Sequence, residues 1–227
     1  MSGFRKRGAA SRLRSPRLAA VTLLLATTAG VADGGPPRHL IYLHGRIVQE
    51  QQGARPRHPE YGHYELEAIL RTFREKGFTV EAEIRPKTAS VSDSADKVVA
   101  KVRALLTQGV PADRINVVGA SMGAAIALTA AARLQEPKVR FAVLGPCLSA
   151  QVPAFLASEG KRPSGRILAI RETSDDIGPC APWKGDHDAE SPLVAREIVL
   201  ETGLKHGFLY RPLPEWVDPV VEWLERP

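Results

Sequence analysis

The chain has little cysteine: two residues, Cys147 and Cys180, among 227. An even pair permits one disulfide or two unpaired buried thiols, and it excludes a fold stapled by several bridges. Acidic residues are missing from the first 32 positions, which carry Arg5, Lys6, Arg7, Arg12, Arg14 and Arg17. The formal charge of +6 therefore belongs to this head, because the other 25 of the 31 basic residues face 25 acidic ones. A neutral body lacks the electrostatic footprint of a nucleic-acid-binding protein, so no nucleic acid is expected as a partner. Long apolar runs are lacking too. The apolar stretch Leu18–Ala32 falls short of the roughly 20 residues that cross a bilayer, so no stable membrane insertion is expected once it is cleaved, an uncleaved anchor or a wrongly chosen start codon being the alternatives. No cysteine lies in its small-residue end, which excludes a lipid-modified cysteine there.

What the N-terminus does contain is a basic head, a modest apolar run and small residues before Asp33-Gly-Gly-Pro-Pro37. That is the order of a secretory signal. Residues 1–32 are expected to be a signal peptide cut near Ala32, 33–37 a linker, and 38–227 one globular domain of a periplasmic or secreted protein. A composition of 44% hydrophobic and 25% charged residues suits such a domain.

From Arg38 onward, short apolar runs alternate with amphipathic segments. Strands are expected at His39–Leu43, Phe78–Ile84, Ile115–Val118, Phe141–Leu144, Ile167–Ile170 and Glu197–Glu201. Helices are expected at Glu65–Glu75, from a Ser92 or Asp93 cap to Gly109, at Gly123–Leu134 and at Pro214–Leu224. This rhythm predicts an α/β fold: a three-layer α/β/α sandwich around a mostly parallel sheet. Two long polar stretches, Arg46–Tyr64 and Glu172–Leu193, read as irregular loops leaving C-terminal strand ends, where open α/β sheets place ligands.

One of the strands runs into Gly119-Ala-Ser-Met-Gly123, and an alanine-rich helix runs out of it. The pattern G-x-S-x-G is common by chance, but this strand–turn–helix context makes Ser121 a candidate nucleophile. The turn strains the serine backbone, and the flanking glycines remove collisions between the crossing strand and helix. A glycine-rich phosphate-binding turn would want a lysine or G-x-G-x-x-G spacing, and neither is present. A serine hydroxyl needs a base, and His206, in Gly203-Leu-Lys-His-Gly-Phe208 just past the last strand, is the best placed. A carboxylate should orient that imidazole. Asp175 is favoured, since the apolar Ile177 could anchor its loop, with Asp176, Asp186, Asp188 and Glu172 as alternatives. The backbone N–H groups of Met122 and Arg46, with Gly45 next in line, are candidate oxyanion donors. His44 is expected to hold that loop by hydrogen bonding.

The series strand-HG-x, strand-G-x-S-x-G-helix, strand-D-x-I and H-G-F before a final helix resembles the α/β-hydrolase superfamily across Arg38–Pro227. Its compact branch of dienelactone hydrolases, carboxylesterases and acyl thioesterases is the most similar in size. The resemblance implies a sheet of eight or slightly fewer strands, no separate cap domain and neither cofactor nor metal. It also implies hydrolysis of a small-molecule ester or thioester through an acyl-enzyme on Ser121, Asp175 and His206, with Arg46 and Met122 at the oxyanion. The same fold also hosts lyases, haloperoxidases and non-catalytic binding proteins. Gly45, Trp183 and Phe208 are candidates to line the substrate site, the two aromatic residues being as often packing. Arg46, Arg55 and Arg57 could meet a substrate carboxylate or phosphate, or lie solvated. If Cys147 and Cys180 share a sheet edge, a disulfide between them would tether the acid loop.

Overall fold

The computed structural model describes Met1 and residues 35–145, 159–176 and 193–226. The expected signal peptide beyond Met1, the Cys147–Cys180 pair, Ile177, Trp183, Asp186 and Asp188 lie outside the described residues. The chain divides into two compact units, Met1–Gly35 and Pro36–Pro227, and every described element belongs to the second.

Six strands form one sheet in the order β4-β1-β5-β6-β7-β8, every neighbouring pair parallel. They are β1 (Arg38–Leu43), β4 (Phe78–Ala82), β5 (Ile115–Ala120), β6 (Arg140–Leu144), β7 (Gly165–Glu172) and β8 (Leu193–Leu200). Central strands buried on both faces read as near-continuous apolar runs, as the all-buried β5 and β6 do apart from Asn116 and Arg140. Alternate residues feed two cores. Leu40, Tyr42, Val118, Ala120, Leu144 and Ile170 meet α2 (Leu66–Glu75) and the C-terminal helix α5 (Pro214–Glu225) on one face. Ile41, Val117, Phe141, Val143 and Ile167 meet α3 (Val91–Thr107) and α4 (Met122–Leu134) on the other. Among the described residues no separate cap domain interrupts this three-layer sandwich.

The chain steps outward from β1 to β4, then returns across β1 to β5 and continues away. The loops after β1 and β5 thus leave the sheet side by side at the switch in winding direction, where an open α/β sheet offers a crevice.

Three expectations about elements need correction. Arg46–Tyr64 is not irregular. It holds a short helix, α1 (Arg46–Gln51), and an antiparallel hairpin of β2 (Arg57–His58) and β3 (Gly62–His63). These pieces are too short to show a period, and side-chain bonds such as Arg57 N–H to Gln51 Oε1 (3.0 Å) hold them. The cap of α3 is Ser90, whose Oγ accepts the Asp93 N–H at 3.0 Å, not Ser92 or Asp93. Strand β8 begins earlier than Glu197, because at the sheet edge Val194 and Val199 stay exposed and no apolar run marks it.

Candidate active site

Strand β5 ends at Ala120 and α4 starts at Met122, so the chain must reverse within one residue. Ser121 makes that turn with φ 55° and ψ −117°, a conformation that L residues adopt at a cost of about 1–3 kcal/mol. The flanking glycines make it possible. A Cβ on Gly119 would lie 2.2 Å from the Gly123 carbonyl oxygen, and one on Gly123 would lie 2.0 Å from Leu43 O. Helix α4 therefore starts in contact with the end of β1. The Ser121 N–H donates to Leu144 O at 2.8 Å, which pins the turn to the end of β6.

His206 reaches the same place from another direction. It lies in a 3₁₀ turn, Lys205–Tyr210, and its ring sits over Gly145, the residue after Leu144. A Cβ there would come within 3.2 Å of His206 Cε1. Ser121 and His206 are thus both anchored on the Leu144–Gly145 step. His206 Nδ1 is 2.6 Å from Asp175 Oδ2, and both side chains are largely buried. The carboxylate accepts the Nδ1 proton, which leaves Nε2 as the basic nitrogen. Of the two neighbouring acids, Asp175 meets the histidine and Asp176 is exposed. Lys205 pairs with Glu60 at 2.8 Å and the Tyr61 ring covers Gly207, so the β2–β3 hairpin braces this turn.

The loop His44-Gly45-Arg46 supplies the opposite wall. Gly45 is buried, and a Cβ on it would be 3.5 Å from Ser121 Cβ. Arg46 N–H and Met122 N–H each open a helix, so neither has an intrahelical acceptor. His44 is fully buried, with Nδ1 2.8 Å from Gly45 O while Nε2 accepts the Arg85 N–H at 3.2 Å. Since Gly45 O only accepts, Nδ1 carries the proton and the ring is neutral. Burial and then the Arg85 charge push its pKa down to about 4. The bond to Gly45 O orients the peptide whose N–H is that of Arg46, which is how His44 holds this loop.

The comparisons agree with this architecture. A sequence-family model for phospholipase/carboxylesterase matches residues 76–156, which include the Ser121 turn. The fold is similar to that of one chain from the metagenome-derived lipolytic pair LipS and LipT (15% identity, TM-score 0.55, 83% of this chain and 94% of that one). It is also similar to MGS-M1, an α/β hydrolase from a Medee basin deep-sea metagenome (14%, TM-score 0.53, 83% and 84%). A third similar structure is XC6422 of Xanthomonas campestris, an α/β serine hydrolase without a lid (16%, TM-score 0.50, 86% and 83%). No curated protein sequence matches the chain. The chain has the α/β-hydrolase fold.

Within this α/β-hydrolase fold some candidates take other roles than expected. Phe208, a candidate to line the substrate site, is fully buried in the core cluster that also holds Tyr64 and Trp216. Its burial anchors the His206 turn from below, contributing about 1.5–3 kcal/mol. Arg46, Arg55 and Arg57 are all exposed, and Arg55 is engaged by Glu65 through its Nε and Nη2 at 3.0–3.2 Å. Among the described residues no group of His, Cys, Asp and Glu is arranged to hold a metal ion, and no helix is long and apolar enough to cross a membrane.

Sequence reading missed Arg85, whose Nη2 donates to His44 O at 2.6 Å and whose Nε donates to Gln49 at 3.1 Å. It also missed the buried hydroxyl pair Tyr42–Tyr64 (2.8 Å), whose Tyr64 ring lies against Gly45. Neither has a local signal, since the partners are 41 and 22 residues apart.

Two buried groups make the fold acid-sensitive. Between pH 6.5 and about 4 the unfolded chain protonates His44 and the folded one does not, so stability falls as pH falls through that window. For Glu172, burial favours the neutral form, but hydrogen bonds from Thr202 and Ser174 prevail and hold the pKa at about 2. The stability that its ionisation contributes is complete above about 4.5 and is lost as pH falls toward 2. Each group accounts for up to about 3 kcal/mol. Urea midpoints measured from pH 7 to 3 should fall steadily. His44→Asn should flatten the upper part of the profile, and an unflattened profile would reject this assignment.

Proposed function

We propose that the protein is a serine hydrolase that cleaves the carboxylic ester or thioester of a small substrate through an acyl-enzyme. The observation that carries this reading is the 2.6 Å bond between His206 Nδ1 and Asp175, on loops that end beside the strained Ser121. In this reading His206 Nε2 takes the Ser121 Oγ proton as Oγ attacks the substrate carbonyl carbon. The negative charge that moves to the carbonyl oxygen is received by the N–H groups of Arg46 and Met122, each at a helix start where the dipole favours an anion. Collapse of the tetrahedral adduct expels the alcohol or thiol, which takes the proton from His206. Water, deprotonated by the same nitrogen, then releases the acid and free Ser121 Oγ–H. No step requires a metal or an organic cofactor.

The fold similarity to lipolytic enzymes supports the reaction class, and the charge-balanced body supports a small molecule as partner. The basic head and apolar run support export with loss of residues 1–32.

Fluorophosphonate labelling followed by a panel of esters, thioesters and amides tests the class. Asp175→Asn should lower kcat by about 10³–10⁴-fold, because the imidazole loses the tautomer that presents a basic Nε2. Asp176→Asn should leave kcat within a factor of about 2, as expected for an exposed substitution. Equal losses in the two variants would overturn the assignment of the acid.

A further inference from the structure

We infer that Glu172 is a positioning residue that ties the Asp175 loop to the His206 loop and sets the geometry of that pair. This rests on the serine-hydrolase reading above. Glu172 closes β7, three residues before Asp175, and is 1% exposed. Its Oε2 accepts the Thr202 N–H at 2.9 Å and the Thr202 hydroxyl at 2.7 Å. Its Oε1 faces the Ser174 N–H (3.3 Å), the Ser174 hydroxyl (3.1 Å), the Thr173 hydroxyl (3.2 Å) and the Gly203 N–H (3.4 Å). One carboxylate thus receives donors from residues 173–174, which lead to Asp175, and from residues 202–203, which lead to His206.

A relay extends this clamp. Ser174 Oγ donates to Glu172 and accepts the Lys205 N–H at 3.0 Å, next to His206 in the chain. The Thr173 N–H donates to Leu200 O at 2.9 Å and the Asp175 N–H to Glu172 O at 3.3 Å. Strands β7 and β8 end side by side here, and beyond their ends the backbone donors lose their ladder partners. A carboxylate, with about four lone-pair sites and no proton, can satisfy such donors on both loops at once. A glutamine cannot, because its NH₂ would face donors on at least one of them. Glu172 touches neither Ser121 nor the reacting carbon; its effect passes through the bond from His206 to Asp175.

The test compares Glu172→Gln in the full chain with the same change made in an Asp175→Asn background, reading kcat/KM and the rate of fluorophosphonate labelling of Ser121. In the otherwise natural chain Glu172→Gln should lower both by about 10²-fold, the size expected when reacting groups are displaced by about 1 Å. With Asp175 already neutralised, the pair has no geometry left to lose, and the further loss should shrink to less than about threefold. The same tenfold or greater loss in both backgrounds would show a general structural role and overturn the inference, as would unchanged kinetics of Glu172→Gln. If that variant does not fold, Ser174→Ala and Thr202→Val each delete one donor and are read in the same two backgrounds. Smaller losses that vanish beside Asp175→Asn support the clamp, and losses that persist there overturn it. Absence of labelling at Ser121 in the unmodified protein would instead reject the serine-hydrolase reading itself.

Discussion

Ser121→Ala is expected to abolish fluorophosphonate labelling and to lower ester turnover by at least about 10⁴-fold, the scale on which losing a nucleophile acts. The fold should persist. The Ser121 N–H that binds Leu144 O is backbone, and α4 opens without a side-chain bond from Ser121, so alanine removes no structural contact. Alanine at φ 55° keeps the same strain as serine. Glycine does not. Ser121→Gly should therefore be as inactive as the alanine variant yet more stable by about 1 kcal/mol, because relief of about 1–3 kcal/mol of strain outweighs glycine's extra unfolded-state entropy. Turnover of a p-nitrophenyl ester and thermal unfolding of the three proteins measure both effects. Undiminished turnover in Ser121→Ala would discard the nucleophile, and a less stable Ser121→Gly would discard the strain.

The second large effect concerns stability. Gly123→Ala places a methyl group 2.0 Å from Leu43 O and 3.0 Å from His44 O, and Gly119→Ala places one 2.2 Å from Gly123 O. Each obstacle is backbone, so no side-chain rotation relieves it. Helix α4 would have to move off the end of β1 by more than 1 Å, breaking the contact that puts Ser121 beside Gly45. A loss above about 4 kcal/mol is expected for either variant, a large share of the about 5–15 kcal/mol that a domain has in total. Low soluble yield and a steep fall in Tm are the expected readouts. Gly53→Ala is the control: its nearest neighbour would be 3.9 Å away and its φ is not positive, so its Tm should hold or rise slightly. A Gly123→Ala variant that melts like the unmodified chain would show that the strand–helix crossing is looser than these distances.

Much of this architecture was legible from local pattern. Buried parallel strands such as Ile115–Ala120 announce themselves because both faces must be apolar, and α2 because Leu66, Ile69, Leu70 and Phe73 recur along one stripe. Elements that escaped were those without such a stripe. The hairpin at Arg57–His63 is two residues per strand, and β8 lies at an edge where exposed valines alternate with charge. Phe208 was open to two readings, pocket lining or packing. Its neighbours His206 and Gly207 suggested a place near substrate, whereas the 3₁₀ turn sends its ring into the core. Sequence distance along a tight turn says little about which way a side chain points.

By itself the sequence determined the Ser121 turn, since its constraints act within five residues: a strand must stop, a helix must start, and the two crossings leave no room for a Cβ at positions 119 and 123. It determined the parallel sheet as well, because hydrophobic periodicity is a local property. Only the tertiary structure shows which of Asp175 and Asp176, adjacent carboxylates of equal chemistry, the fold turns toward a histidine 31 residues away. It alone revealed Glu172 as a buried junction and Arg85 as the support of the His44-Gly45-Arg46 loop. Such roles depend on hydrogen bonds between segments 30 and 41 residues apart, and a hydrogen bond exists only where folding has brought donor and acceptor within about 3 Å.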